Sequence, residues 1–130
     1  MARKRVVIIG ATGYTGSELV RILKTHPEVE IVMITSESRA GELFSDVHPS
    51  FKGIADIKLY KASEVEQAEP DLVFLALPHG VSMNFVKQYQ KSNFKIVDLS
   101  GDFRLNDAET YEAWYKKEHV FREGFSNAVY

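Results

Sequence analysis

The sequence contains no cysteine, which excludes disulfide bonds and a thiolate nucleophile within these 130 residues. Its charge is nearly balanced, with 16 basic and 18 acidic side chains and a net charge of -2, so no basic excess is present to bind a polyanion. The four histidines are scattered, without carboxylates at ligand spacing, which argues against a zinc site. We therefore expect no nucleic-acid partner and no metal site.

Long apolar runs are also missing. No segment approaches the roughly 20 apolar residues of a membrane span, and the N-terminus lacks the apolar stretch of a secretory signal. We expect a soluble, cytoplasmic protein that has no membrane partner. The sequence does have 45% apolar residues, in a length that is typical of one domain, and these are enough for an ordinary core.

Strand-like and helix-like segments alternate along the chain. Apolar runs typical of strands lie at 5–9, 29–35, 71–77 and 94–100, with a weaker run at 57–60, and helical patterns lie at 14–25, 62–67, 81–91 and 106–119. This alternation predicts an α/β fold, a doubly wound and mostly parallel sheet of Rossmann type, forming one domain. The most apolar run, 71–77, is predicted to be the central strand.

Three segments carry more detailed expectations. The apolar residues of segment 36–53 show no sustained helical or strand period, which predicts an irregular loop. The helix over 14–25 is expected to bury one stripe, and the helix over 106–119 carries an aromatic stripe that needs a packing partner. The first stripe consists of Leu19, Val20, Ile22 and Leu23, and the second of Tyr111, Trp114 and Tyr115.

Three glycines, Gly10, Gly13 and Gly16, directly follow the first predicted strand and open the first helix. In that context glycine lets the backbone approach a pyrophosphate, and the helix N-terminus stabilises its charge. The spacing is one residue looser than in the commonest dinucleotide fingerprint, and a tight connection without a ligand is the alternative. No lysine lies in the turn, which excludes the phosphate loop of nucleotide hydrolases.

The end of the second strand indicates the type of dinucleotide. Glu37 could hold the unmodified ribose of NAD. Ser36, Ser38 and Arg39 instead supply two hydroxyls and a guanidinium, a combination suited to a 2′-phosphate. We favour NADP, with an ordinary solvated loop charge as the alternative for Arg39.

The carboxyl ends of parallel strands lie at one edge of the sheet, so Gly10, Ser36, Pro78 and Ser100 are expected to face the same crevice. His79, which follows the strand at 71–77, either contacts a cofactor ribose, acts as a base or is simply solvated or capping a helix.

A second polar group follows the strand at 94–100. Arg104 either binds a substrate phosphate or forms an ion pair with an aspartate, Asp98 or Asp102, that stabilises the loop.

Five stretches, in this order, closely resemble the N-terminal part of the N-acetyl-gamma-glutamyl-phosphate reductase family. They are GATGYTGSEL (10–19), SESRAG (36–41), LPHG (77–80), VDLSGDFRL (97–105) and YEAWYKKEH (111–119). The first stretch alone would also suit aspartate-semialdehyde dehydrogenase. A related reductase of lysine synthesis, which acts on an aminoadipate phosphate, shares the motifs, and a stand-alone dinucleotide-sensing module is an alternative from another class.

The resemblance implies an NADP-binding domain followed by a larger α+β domain with a catalytic cysteine and much of the oligomer interface. In that family the cysteine attacks an acyl phosphate, phosphate leaves, and NADPH delivers hydride to release the semialdehyde of arginine synthesis. We therefore expect residues 1–130 to be the NADP-binding domain, truncated before the catalytic and dimerisation domain. We expect a small-molecule acyl-phosphate substrate, no catalytic residue in this chain, and an intact enzyme that is a homo-oligomer.

The resemblance also implies site residues. The pyrophosphate is placed at Gly10, Thr12, Gly13, Tyr14, Thr15 and Gly16, and the 2′-phosphate at Ser36, Ser38 and Arg39. The nicotinamide half is placed beside Leu77, Pro78, His79, Gly80 and Ser100, and the substrate phosphate at Arg104.

Overall fold

The computed structural model describes residues 2–105 and 107–129 and contains a five-stranded sheet. Its strands are β1 (Lys4–Ile9), β2 (Val29–Thr35), β3 (Leu59–Tyr60), β4 (Leu72–Leu75) and β5 (Lys95–Asp98), in the spatial order β3-β2-β1-β4-β5. All neighbouring strands are parallel. The order runs outward from β1 in both directions, which confirms the predicted doubly wound α/β fold of Rossmann type.

The helices follow the predicted alternation with different limits. The α-helices are α1 (Tyr14–Lys24), α2 (Phe44–Val47), α3 (Ser82–Gln88) and α4 (Ala108–Tyr115). Shorter 3₁₀ helices are Pro49–Phe51, Ala62–Ala68 and Arg122–Ser126, so the predicted helix at 62–67 is a 3₁₀ helix. The predicted start of the last helix at Asn106 lies outside the described residues, and that helix ends earlier than expected. No helix in the described part of the chain has the length and hydropathy that a membrane span needs.

The centre of the sheet is β1, which corrects the prediction for residues 71–77. Strand β4 lies between β1 and β5. Apolarity reports burial, and both strands have fully buried residues, such as Val7 and Val73. It does not report strand order, which depends on the direction that each crossover takes.

Two hydrophobic clusters cover the two faces of the sheet. Val6 and Ile8 pack into one cluster with Val20 of α1, while Val7 and Ile9 of the same strand pack into the other. The second cluster includes Phe85 of α3. This alternation along β1 places α1 and α3 on opposite faces, as a doubly wound sheet requires.

The segment 36–53 is more regular than predicted. It contains α2 and the first 3₁₀ helix, and Phe44 is fully buried. The Phe44 ring packs edge-on against Phe51, with centroids 4.9 Å apart. Helix α2 has only four residues, which are too few for a helical period to be visible in the sequence.

The predicted stripes are only partly buried. On α1, Val20 and Leu23 are buried, but Ile22 is 48% exposed, so its place in the buried stripe was wrong. On α4, Tyr111 is fully buried and Trp114 is 78% exposed. Tyr115 is half-buried and its ring stacks on that of Tyr111, so Trp114 is the member of the stripe that stays exposed.

Candidate functional site

The glycine turn connects β1 to α1 at the carboxyl edge of the sheet. Gly10 has a φ of +83°, a conformation that favours glycine, and a Cβ there would lie 2.5 Å from the Ala76 carbonyl oxygen. The turn is tied to β2, since Ala11 N–H donates to the Thr35 carbonyl at 2.9 Å. A side chain at residue 10 would therefore clash with the backbone that follows β4, so the turn needs glycine at this position.

The other two glycines of the turn differ from each other. A Cβ at Gly16 would meet the Gly10 carbonyl oxygen and the Ala11 Cα, the latter at 2.7 Å, so internal packing of the helix on the turn demands glycine there. A Cβ at Gly13 would meet nothing within 4 Å. The fold itself leaves open space at Gly13, which suits the close approach of a ligand to the backbone.

The start of α1 is available for an anion. Gly13 is the N-cap residue, and no side-chain hydrogen bond caps the helix there. Gly13, Tyr14 and Thr15 are exposed. A helix N-terminus carries partial positive charge and unpaired N–H groups, so a diphosphate would satisfy both needs.

Thr12 links the turn to two neighbouring segments. Its hydroxyl donates to the Ser36 hydroxyl at 3.3 Å, which brings together two residues that the sequence placed in one site. Its carbonyl lies 2.7 Å from Nε2 of His48, and since a carbonyl only accepts, this nitrogen carries the proton. Sequence reasoning missed His48. Phe44, His48 and Phe51 are spaced four and three residues apart, but α2 is too short for that spacing to stand out as a helical period.

The predicted 2′-phosphate residues lie directly after β2. Ser36 is buried, while Ser38 and Arg39 are exposed in the turn that follows. Arg39 forms an exposed ion pair with Glu42 at 3.3 Å. Glu37 accepts a hydrogen bond from the Ala62 N–H at 3.1 Å, so its carboxylate is already used at the start of a 3₁₀ helix. Ser38 and Arg39 are thus the two predicted 2′-phosphate residues that lie at the surface after β2.

The residues after β4 and β5 contact each other. The Gly101 N–H donates to Nδ1 of His79 at 2.7 Å, and the His79 ring packs on Tyr115 with centroids 4.7 Å apart. Ser100 is half-buried and its hydroxyl donates to Asp98 at 3.0 Å. His79 thus joins the ends of β4 and β5, and the Leu77 side chain lies beside the glycine turn, 3.2 Å from the position of a Cβ at Gly10.

Arg104 and Asp102 serve different partners. The Arg104 guanidinium donates to the Tyr115 hydroxyl at 3.1 Å. The fully buried Asp102 accepts hydrogen bonds from Gly80 N–H and from the hydroxyl of Tyr111, each at 2.8 Å. The carboxylate of Asp102 is thus occupied by the loop after β4 and by α4, which corrects the expectation of a loop-stabilising ion pair through Asp102.

Tyr111 is held as a donor. Its burial, with the nearby Asp102 carboxylate, raises the pKa of the Tyr111 hydroxyl above its ordinary value.

Among the described residues, no group of three or more histidine, aspartate or glutamate side chains could hold a metal ion.

The chain is similar to known proteins both in sequence and in structure. The chain is similar to the N-acetyl-gamma-glutamyl-phosphate reductase of Pelotomaculum thermopropionicum, with 46% identity over 97% of this chain and 37% of that protein. It is similar to the LysW-L-2-aminoadipate/LysW-L-glutamate phosphate reductase of Saccharolobus solfataricus, with 43% identity over 97% of this chain and 37% of that protein. The chain thus spans a little over a third of the length of these relatives.

A solved structure and a family model complete the comparison. The structure of aspartate semialdehyde dehydrogenase with NADP from Candida albicans matches 82% of this chain and 32% of that chain, with 26% identity and a TM-score of 0.70. The family model described as "Semialdehyde dehydrogenase, NAD binding domain" matches residues 5–129. The chain therefore belongs to the family of semialdehyde dehydrogenase NAD-binding domains.

Proposed function

We propose that this chain is the NADP(H)-binding part of a reductase that converts N-acetyl-glutamyl 5-phosphate to N-acetyl-glutamate semialdehyde. One structural observation carries the proposal. The N-terminus of α1 has no side-chain cap, and Gly13 in front of it faces open space that internal packing does not need. Identities near 45% to reductases of that name support the choice of reaction.

The glycine turn is proposed to bind the diphosphate. Backbone N–H groups at the start of α1 donate to its oxygens, and Gly13 allows the close approach. The residues in this role are Gly10, Thr12, Gly13, Tyr14, Thr15 and Gly16. The bond from His48 to the Thr12 carbonyl holds the turn in place from the side of α2.

The adenosine end is proposed to lie after β2. Arg39, at the surface, offers a charged fork to a 2′-phosphate, and Ser36 and Ser38 add neutral donors. The engagement of Glu37 with Ala62 N–H supports NADP over NAD, because a carboxylate free to face the ribose would repel that phosphate.

The nicotinamide half is proposed to lie between β4 and β5, beside Leu77, Pro78, His79, Gly80 and Ser100. When bound, NADPH supplies a hydride. Arg104, which donates to Tyr115 next to His79, is proposed to bind the phosphate of the acyl-phosphate substrate. The chain has no cysteine, so a thiolate nucleophile would have to come from residues outside these 130.

A related substrate is a second candidate. The similarity to the Saccharolobus solfataricus reductase favours an aminoadipate or glutamate phosphate on a carrier protein. Both candidates share the same proposed cofactor site. The homo-oligomeric assembly of the intact enzyme belongs to the proposal and is supported by the resemblance alone. The proposed cytoplasmic location is supported by the lack of long apolar runs in the sequence.

The test is a calorimetric titration of the 130-residue chain with NADPH and with NADH. We expect NADPH to bind at least about tenfold more tightly, which corresponds to about 1.4 kcal/mol. Arg39→Ala should remove most of that preference while leaving NADH binding unchanged. Arg21→Ala is the matched control, because Arg21 forms a similar exposed pair with Glu18 three residues away, in the last turn of α1.

Three results would contradict the proposal in whole or in part. Tighter binding of NADH would overturn the assignment of Arg39 and of the cofactor. Failure of the folded chain to bind either dinucleotide would overturn the proposed function as a whole. Equal losses of NADPH affinity in both arginine variants would show that general charge, rather than a 2′-phosphate site, attracts the ligand.

A further inference from the structure

The buried side chain of Asp102 connects three segments around the carboxyl edge of β4. Its Oδ1 accepts hydrogen bonds from the Gly80 N–H and from the Tyr111 hydroxyl, and its Oδ2 accepts one from the Met83 N–H, each at 2.8 Å. Gly80 ends the loop after β4, Met83 lies in the first turn of α3, and Tyr111 lies on α4. Asp102 is 0% exposed, so none of these bonds competes with bulk water.

The same loop is also held from the outside by the segment after α4. The Lys117 ammonium donates to the His79 carbonyl at 3.0 Å, and the Tyr115 ring packs on the His79 ring. Nε2 of His119 contacts the backbone carbonyl of Asp102 at 2.7 Å. The motif at 111–119 has no role in the proposed cofactor site. Its residues contact His79 and Asp102 instead.

This arrangement determines the shape of the loop because the loop has no regular secondary structure of its own. Residues 78–80 are in no helix or strand, and Gly80 has a φ of +88°. Hydrogen bonds to a charged acceptor contribute about 1.5–3 kcal/mol each, more than neutral ones. The buried Asp102 carboxylate accepts from the Gly80 N–H at the end of the loop and from the Met83 N–H at the start of α3, and it therefore fixes where the loop enters α3.

We propose that Asp102, oriented by Tyr111, is a positioning residue that holds the loop at 77–80 in the conformation that receives the nicotinamide half of the cofactor. The inference rests on the proposed function, since it presupposes that a nicotinamide dinucleotide binds at this edge. It adds a role for Asp102 and for the aromatic motif of α4. The adenosine and diphosphate sites, which lie at β2 and at the glycine turn, do not depend on it.

The experiment compares two ligands on the full 130-residue chain by calorimetric titration. One ligand is NADPH, and the other is 2′-phospho-ADP-ribose, which has the same adenosine and diphosphate but no nicotinamide. Asp102→Asn should weaken NADPH binding about tenfold, because one oxygen acceptor becomes a donor that faces other donors. Binding of 2′-phospho-ADP-ribose should change less than about twofold.

Tyr111→Phe tests the same idea with less disruption. It keeps the carboxylate and its two backbone bonds and removes only the hydroxyl, so we expect about a threefold loss for NADPH and none for the shorter ligand. The control is Glu109→Gln on the same helix. Glu109 lies in the first turn of α4, before the motif at 111–119, and is exposed. This variant should bind both ligands as the original chain does.

The outcomes separate the inference from the proposed function. Equal losses for both ligands in Asp102→Asn and Tyr111→Phe, or no loss for either, would overturn the positioning role. If Asp102→Asn does not fold, as judged by circular dichroism, the titrations of Tyr111→Phe with the two ligands are the test of the positioning role. Failure of the unmodified chain to bind either ligand would count against the proposed function instead.

Discussion

Replacing Gly13 and Gly16 by alanine, one at a time, separates the glycine that a ligand needs from the glycine that the fold needs. At Gly16 the new methyl group would meet the Ala11 Cα at 2.7 Å and the Gly10 carbonyl oxygen. Both neighbours are backbone atoms, which cannot rotate away. We expect Gly16→Ala to lower the free energy of unfolding by about 3 kcal/mol, the upper end of typical overpacking costs.

At Gly13 two small effects oppose each other. Gly13 has a φ of -75° and a ψ of 176°, which alanine adopts without strain, and its methyl group would meet nothing within 4 Å. Alanine reduces the entropy of the unfolded chain, which stabilises by about 0.4–1 kcal/mol. It is also a poorer N-cap residue than glycine by a similar amount. The free energy of unfolding should therefore change by less than about 0.5 kcal/mol.

For cofactor affinity, in contrast to stability, we expect Gly13→Ala to have the larger effect. The Gly13→Ala methyl group would occupy the space where the diphosphate approaches α1, and the loss of one charge-assisted hydrogen bond costs about 1.5–3 kcal/mol. We expect NADPH affinity to fall between about 10-fold and 100-fold. Calorimetry measures the affinity, and thermal unfolding followed by circular dichroism measures stability. The melting temperature of Gly16→Ala should drop by about 10 °C.

The reasoning fails if Gly13→Ala binds NADPH as tightly as the unmodified chain, because no ligand then uses the open space. It also fails if Gly16→Ala melts at the original temperature, since the turn would then have room that the structure denies it.

Two further predictions concern stability. His48→Phe keeps the aromatic packing but leaves the Thr12 carbonyl without its donor, and should cost about 1 kcal/mol in urea unfolding; an unchanged midpoint would refute it. Asp107 caps α4, and the hydrogen bond from Thr110 N–H lowers the pKa of Asp107. Its stabilisation is therefore complete above the ordinary aspartate pKa and is lost as pH falls through the lowered value. Asp107→Ala should be less stable at neutral pH and equal at strongly acidic pH; a constant difference would refute this.

The best predicted parts of the fold are those with strong local signals. The limits of β2 agree with the prediction, and β1 and α1 agree within one residue, because long apolar runs and a glycine turn bound them. The segment 36–53 was misread because α2 and its neighbour are too short to show a period. The order of β1 and β4 was misread because both strands are strongly apolar, and composition alone does not give the order of strands in a sheet.

In the candidate site too, the residues at strand ends could be predicted from the sequence and the long-range contacts could not. The predicted groups at Gly10, Ser36 and His79 all follow strand ends, and parallel pairing is enough to bring strand ends to one edge. The contacts of His48 and Asp102 join residues 36 and 22 positions apart in the chain. Such contacts leave no periodic trace in the sequence.

By itself, the sequence determined the βαβ order, the parallel sheet and the glycine turn at the start of α1, because these follow from hydrophobic periodicity and backbone freedom, which are local properties. Only the tertiary structure decided that Gly13 faces open space while Gly16 is packed, that His48 supports the turn, and that Asp102 holds the loop after β4. Each of those depends on which distant atoms the folded chain brings within about 3 Å of one another, the distance over which hydrogen bonds and steric contact act.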